Sequence, residues 1–328
     1  MVAVAVAADP PRDWREQIYA GALLIVPQVD ELAAFRSHVS ALLDDAYGPH
    51  APPDAQAALG DQAFTARSEL VRAAFRRDER ARALLRPVLA RFGLDPQTTY
   101  WDRLHLRVLP AGAEPQRSAD VALSAHRDSW SSNVYAQVNW WLPLYDITAE
   151  RAVAFYPRHW QAPIANTSGA WDLEQLRRER AAGRGQPAGT KAAPGAGARP
   201  GAASAGGDAT PLIPAPTQPP DPADALTVVV QPGDLLLFSA AHLHATVPNT
   251  SGRPRFSVEI RTVALADVRD GRGAPNVDGD APRVPWRWFR RVADGAPLSP
   301  EIAGATPSPG ISADWAGRHG RVCVRSRP

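Results

Sequence analysis

The sequence predicts a mainly β domain, a jelly roll or another barrel, with helices gathered in its first third. Three observations carry that expectation. Short apolar or alternating runs recur from residue 99 onward, broken by Pro-Gly and Asn-Thr-Ser-Gly turns. Amphipathic helical periodicity ends by residue 93, and no apolar run approaches the roughly 20 residues that cross a bilayer. Many short strands with regular turn signals favour a barrel or sandwich over a parallel sheet. A chain of 328 residues also has ample length to bury a core.

In chain order, GALLIVP (21–27) reads as an edge strand ending at proline. VDELAAFRSHVSALLDDAYG (29–48) follows with apolar residues at helical spacing, acids early and Gly48 at its end. Residues 65–93 read as two further amphipathic helices, the second interrupted or kinked at Pro87. After LDPQ the period changes. TYWDRLHLRVLPAG (99–112), LSAHRDSW (123–130), VYAQVNWWLPLYD (134–146) and RAVAFYPRHW (151–160) are strand candidates at short intervals. ALTVVVQPGDLLLFSAAHLHATVPN (225–249) and RPRFSVEIRTVALAD (253–267) add more.

Residues 181–225 are almost wholly Ala, Gly, Pro and small polar residues, which bury too little apolar surface to offset ordering entropy, so a disordered insertion is expected there. The domain plan is thus a tail over 1–15, one domain over 16–265 carrying that insertion, and a loop-rich extension over 266–328. The extension holds VPWRWFRRV (284–292), whose aromatics and arginines suit either strand binding by stacking or a short helix packed on the barrel; the latter is preferred.

With 36 basic and 34 acidic residues the net charge is +2, and no dense basic stripe invites nucleic acid. The single cysteine, Cys323, excludes an internal disulfide framework and suits a reducing compartment. The N-terminus has too short an apolar stretch for a signal-peptide core and lacks a basic start. A soluble cytoplasmic protein is expected, with a small-molecule substrate and neither nucleic acid nor membrane as partner.

His126 and Asp128 stand two apart, so on a strand they share a face while Arg127 points away. Such a pair is weak evidence alone. A histidine from 242–244 completes a two-histidine, one-carboxylate face. That face leaves three adjacent metal positions open, the arrangement of non-haem Fe(II) oxygenases, where a chelating keto acid takes two and dioxygen the third. A structural zinc site would want four ligands.

At this point the chain resembles the phytanoyl-CoA dioxygenase family of Fe(II)- and 2-oxoglutarate-dependent oxygenases. The resemblance rests on IYAGALLIVPQVDELAAFRSHVSALL, on AHRDSW as the HxD motif, on VNWWLPLYDITAERAVAFYPRHW and on PGDLLLFSAAHLHATVPNTSGRPRFSVEI. It implies a double-stranded β-helix, a cupin-like jelly roll with N-terminal helices packed on it. His242 and His244 each precede an arginine by eleven residues, Arg253 or Arg255, and the family pattern selects His244, the ligand just before ATVPN. His126, Asp128 and His244 would then hold Fe(II). Arg255 would take the far carboxylate of 2-oxoglutarate, aided by Ser257 and Thr246, with Trp141 lying along it and Gln137 and Asn139 lining the pocket. ERAVAFYPRHW departs from the family, placing Arg158, His159 and Trp160 where smaller residues are usual, so the family's own substrate is not implied. Trp130, Tyr135, Arg158 and Arg261 are candidates for a polar substrate wall.

The implied function is a dioxygenase that hydroxylates, or otherwise oxidises, a C–H bond of a small organic molecule with 2-oxoglutarate and O2, releasing succinate and CO2. Asp128 argues against the halogenase variant, in which a small residue replaces the carboxylate. Rival readings are a catalytically silent cupin-like metal-binding module, or an interaction protein recruiting partners through its proline-rich and WRWFRR segments.

Overall fold

The computed structural model describes residues 2–112, 124–181 and 213–304. Its helices are α1 (Trp14–Tyr19), α2 (Leu32–Tyr47), α3 (Ala55–Leu59), α4 (Asp61–Phe75), α5 (Glu79–Arg91), α6 (Ser129–Ser132), α7 (Leu173–Ala181), α8 (Leu265–Arg269) and α9 (Pro300–Ala303). The strands are β1 (Ala3–Val6), β2 (Ala22–Val26), β3 (Thr99–Trp101), β4 (His105–Leu109), β5 (Gln137–Pro143), β6 (Val153–Phe155), β7 (Leu226–Val228), β8 (Leu235–Ser239), β9 (His244–Thr246), β10 (Arg255–Ala264) and β11 (Arg290–Arg291). One sheet runs β1-β2-β8-β5-β10-β3-β11 with β4 also beside β10, and a smaller sheet runs β7-β6-β9. Among the described residues no helix is long and apolar enough to cross a membrane.

The helical layer follows from its spacing. Leu32, Phe35, Val39, Leu43 and Tyr47 recur every three or four residues along α2 and are all buried, while Gly48 closes the helix with φ +70°. Asp78 caps α5 by accepting from the Ala81 amide at 2.9 Å, and α5 continues through Pro87 to Arg91. These helices cover one face of the large sheet.

All seven residues of β5 are buried, because that sheet is covered on both faces. Val138, Trp140 and Leu142 join the core beneath the helices, whereas Trp141 joins Phe155, Val228 and Phe238 in the core between the two sheets. The period of two explains why Gln137 and Asn139 can sit in a buried strand, since they share the inward face with Trp141. The longest strand, β10, pairs along Ser257–Val263 with β5. Its other edge is divided between β4 and β3. At the break Asp102 accepts from the Arg261 amide with its carboxylate and donates its own amide to the Arg261 carbonyl, each at 3.0 Å.

Four stretches of the sequence expectation can be set against the described residues. The expected tail contributes β1, parallel to β2, so β2 is an interior strand and not an edge. LSAHRDSW forms no strand where described: His126 makes an isolated bridge to His244, and Asp128 stands at the start of α6. Most of the expected insertion, 182–212, lies outside the described residues. Residues 213–225 are described, and there Thr217 donates to the Ala165 carbonyl at 2.8 Å and Thr167 to that of Ala215 at 3.0 Å. The WRWFRR segment is a 3-10 turn at Trp286–Trp288 followed by β11, with Phe289 buried against the core.

Candidate metal centre

The bridge between His126 and His244 is built from reciprocal backbone bonds of 2.9 and 3.0 Å, which set the two imidazoles side by side with ring centroids 4.4 Å apart. Each ring is oriented by its own loop. Nδ1 of His126 lies 2.8 Å from the Ser124 carbonyl, and Nδ1 of His244 lies 3.0 Å from that of His242. A carbonyl only accepts, so each Nδ1 donates, which leaves Nε2 as the atom that faces the shared site. The first turn of α6 turns Asp128 back toward them, and Nε2 of His126 lies 3.7 Å from Oδ1 of Asp128. All three residues are buried, and their donor atoms lie within 4.8 Å of one another, close enough to share one metal ion. Burial, and then the neighbouring His244, pushes His126 down to about 4, so it stays neutral as ligation requires.

Two braces hold the carboxylate. Arg261 donates to Oδ1 of Asp128 at 3.0 Å, and Asn139 donates to Oδ2. Gln137 in turn donates to Asn139 at 2.8 Å. Burial alone would raise the Asp128 carboxyl, but the Arg261 guanidinium holds it below the usual carboxylate range despite the repulsion of Glu259. Glu259 lies 2.7 Å from Arg261 and 3.4 Å from Arg107.

Beside the triad lies a cavity of about 380 Å³, lined among others by His126, His244, Trp141, Thr246, Arg255 and Glu259. Arg255 is only 4% exposed. It donates to the carbonyls of Arg151 and Ala152 at 3.1 and 3.0 Å and reaches the Thr246 hydroxyl at 3.4 Å. Its Nε has no hydrogen-bond partner, nor has the buried hydroxyl of Ser257 two residues on, and it forms no ion pair among the described residues. Trp141 lies against its guanidinium, 5.6 Å to the ring centroid. Burial, and then Arg107, lowers it to about 10, leaving it cationic at neutral pH. A buried cation with no salt bridge among the described residues, next to a hydroxyl without a partner, is arranged for an anionic ligand.

Other expected pocket residues are placed differently. Gln137 and Asn139 brace the Asp128 carboxylate instead of lining the cavity. Arg261 belongs to the same brace, since its strand register sets it opposite Asn139. Trp130 is fully buried and donates to Asp278 at 2.7 Å. Tyr135 packs under the loop at Gly273 and Gly279. Arg158 is exposed and paired with Asp224 at 2.9 Å. His242 turns away from the triad: its ring stacks on Trp160 with centroids 4.4 Å apart, and Nε2 donates to the Gly21 carbonyl at 3.1 Å. Glu259, Arg107 and Asp278 were missed. Alternation puts Glu259 on the face of Arg255 and Ser257, so its inward aim was readable, whereas Asp278 in a turn-rich stretch gives no signal.

The family model for phytanoyl-CoA dioxygenase (PhyH) matches residues 19–257. Among solved structures, the chain is similar to EvdO2 from Micromonospora carbonacea var. aurantiaca complexed with 2-oxoglutarate, at 14% identity over 76% of this chain and 89% of that one, with a TM-score of 0.39. It is similar to the epimerase SnoN in complex with Fe3+, alpha ketoglutarate and nogalamycin RO, at 18% identity over 87% and 95% of the two chains, TM-score 0.35. HygX from Streptomyces hygroscopicus, with nickel and 2-oxoglutarate bound, shows 17% identity over 74% and 82%, TM-score 0.34. No curated protein sequence matches the chain.

Proposed function

Because the chain belongs to the phytanoyl-CoA dioxygenase family, we propose that it is an Fe(II)- and 2-oxoglutarate-dependent dioxygenase that hydroxylates a C–H bond of a small organic molecule. The observation that carries this reading is the juxtaposition of a buried His-Asp-His face with a buried guanidinium that makes no salt bridge among the described residues and whose Nε lacks a hydrogen-bond partner. The residues present fit the cofactor set. Two imidazole Nε2 atoms and one braced carboxylate would make the ligand face of an oxygen-activating iron. Arg255 would hold the distal carboxylate of the keto acid, with Thr246 and Ser257 offering hydroxyls and Trp141 forming a wall. Bound there, iron and 2-oxoglutarate supply the oxidising power that couples dioxygen to C–H oxidation, with succinate and CO2 as co-products.

The chain's own contribution is orientation and exclusion of water. Arg261 and Asn139 engage both oxygens of Asp128, fixing the carboxylate's direction before metal arrives. Trp141 and Phe238 give the cavity an aromatic wall beside the two histidines, which limits water at that side of the site. The cavity volume falls in the range of small-molecule sites, which supports a compact substrate.

The test is anaerobic loading with Fe(II) and 2-oxoglutarate, followed by absorbance and then by succinate release on admitting oxygen. Wild type is expected to form succinate only when iron, keto acid and oxygen are all present, and Asp128→Ala is expected to form none. Near-wild-type turnover in that variant would overturn the assignment. Arg255→Met should weaken 2-oxoglutarate binding by roughly 30-fold or more, the equivalent of losing one buried charge contact, while leaving metal affinity unchanged.

A further inference from the structure

Arg127, between the two ligands of the HxD motif, is tied to a part of the chain beyond the matched span. Its guanidinium donates to the carbonyls of Ala241 and His159, and its Nε lies 3.0 and 3.2 Å from the two carboxylate oxygens of Asp278. The two side chains are 2% and 5% exposed, so the pair is buried. Ala241 stands three residues before His244. One guanidinium therefore joins the loop bearing His126 and Asp128 to the strand bearing His244, and Asp278 is its carboxylate partner.

Asp278 is itself held from several sides. Its carboxylate accepts from the indole of Trp130 at 2.7 Å and from the amide of Ile164 at 3.0 Å, and its carbonyl accepts from Asn166 at 2.8 Å. The loop around it lies directly on the residues after α6. Ala274 donates to the Tyr135 carbonyl at 2.9 Å, and Asn133 to that of Ala281 at 3.0 Å. A Cβ at Gly273 would fall 2.6 Å from the Tyr135 carbonyl carbon, so only glycine permits this approach. The contacts form a strap, residues 273–281, laid across the back of the metal loop.

We propose that Asp278 is a positioning residue of the metal centre, which acts through Arg127 to hold the two ligand segments at metal-binding distance. The proposal rests on the reading of His126, Asp128 and His244 as ligands. Without the carboxylate, Arg127 is a buried cation lacking its ionic partner, and it either draws water in or shifts; both separate the loop from the strand. A role in folding alone would lower the melting temperature without changing metal affinity in the folded protein.

The experiment is calorimetric titration of the full chain with Ni(II), at a temperature where circular dichroism shows each variant folded. Asp278→Asn should weaken Ni(II) affinity about 10–100-fold, and Asp278→Glu, which returns the charge, should recover part of that loss. A folded Asp278→Asn variant that binds within about twofold of wild type would overturn the proposal. Should Asp278→Asn fail to fold, Asp278→Glu decides, since it keeps the charge but moves the carboxylate by one methylene against Arg127. A several-fold loss there supports the role, and unchanged affinity refutes it. His244→Ala separates the two claims. If it binds Ni(II) as tightly as wild type, the ligand assignment fails; if it loses binding while Asp278→Asn keeps it, only the positioning role fails.

Discussion

At Glu259 two guanidinium groups meet one buried carboxylate, and the charge state of that residue couples the site to pH. Burial alone would raise the carboxyl, but Arg261 and then Arg107 hold it far below its ordinary range. A depressed folded pKa means the group adds stability above its unfolded pKa, and that stability is lost as the pH falls. Glu259→Gln should therefore melt well below wild type at neutral pH, and the gap should close as the pH drops below about 4.5. Thermal melts of the two proteins from neutral to acidic pH measure it; a gap that stays constant would contradict the pairing. Residue types and spacing point to His126, Asp128 and a histidine from 242–244, and the family resemblance, not the spacing, selects His244. Arg261 could not be assigned from sequence, because alternation gives the face of a side chain but not which of three nearby carboxylates it reaches.

Along α5 the chain keeps a helix through a residue that opposes it. Pro87 lacks the amide that would bond to residue 83, yet the helix runs on to Arg91 because Leu85, Val88 and Leu89 are held in the core. Pro87 itself is exposed. Pro87→Ala should restore the missing bond and raise stability by about 1–3 kcal/mol, read by chemical denaturation, with no change in metal affinity. Periodicity revealed the existence and type of most elements here, as it did for α2 and β10. It misread the HxD stretch as a strand, since a bridge of one residue followed by a helical turn carries no repeating pattern. It also missed β1, four small residues whose pairing depends on a neighbour far along the chain.

Across the whole molecule, the three candidate ligands come from segments separated by more than a hundred residues, so a metal bound to them would fasten the loop bearing His126 and Asp128 to β9. Binding to the folded chain alone raises stability by about 2.7 kcal/mol when free metal is 100 times its dissociation constant. For a domain of this size that corresponds to roughly 5–10 °C in melting temperature. Ni(II) with 2-oxoglutarate should produce that rise in wild type and none in His244→Ala. The jelly-roll core and its helical cover were legible because alternation and helical period differ so plainly. The clamp by residues 273–281 was not, since loops earn their place through single contacts. The same holds at Gly21, where the backbone takes φ +106° and a Cβ would press 2.7 Å from the Trp160 indole, the ring that stacks on His242. Anyone trimming this protein for crystallisation or fusion should accordingly keep the front end through that glycine, for a cut beyond it would take away the carbonyl that anchors His242 behind the third candidate ligand while leaving all three candidate ligands in place.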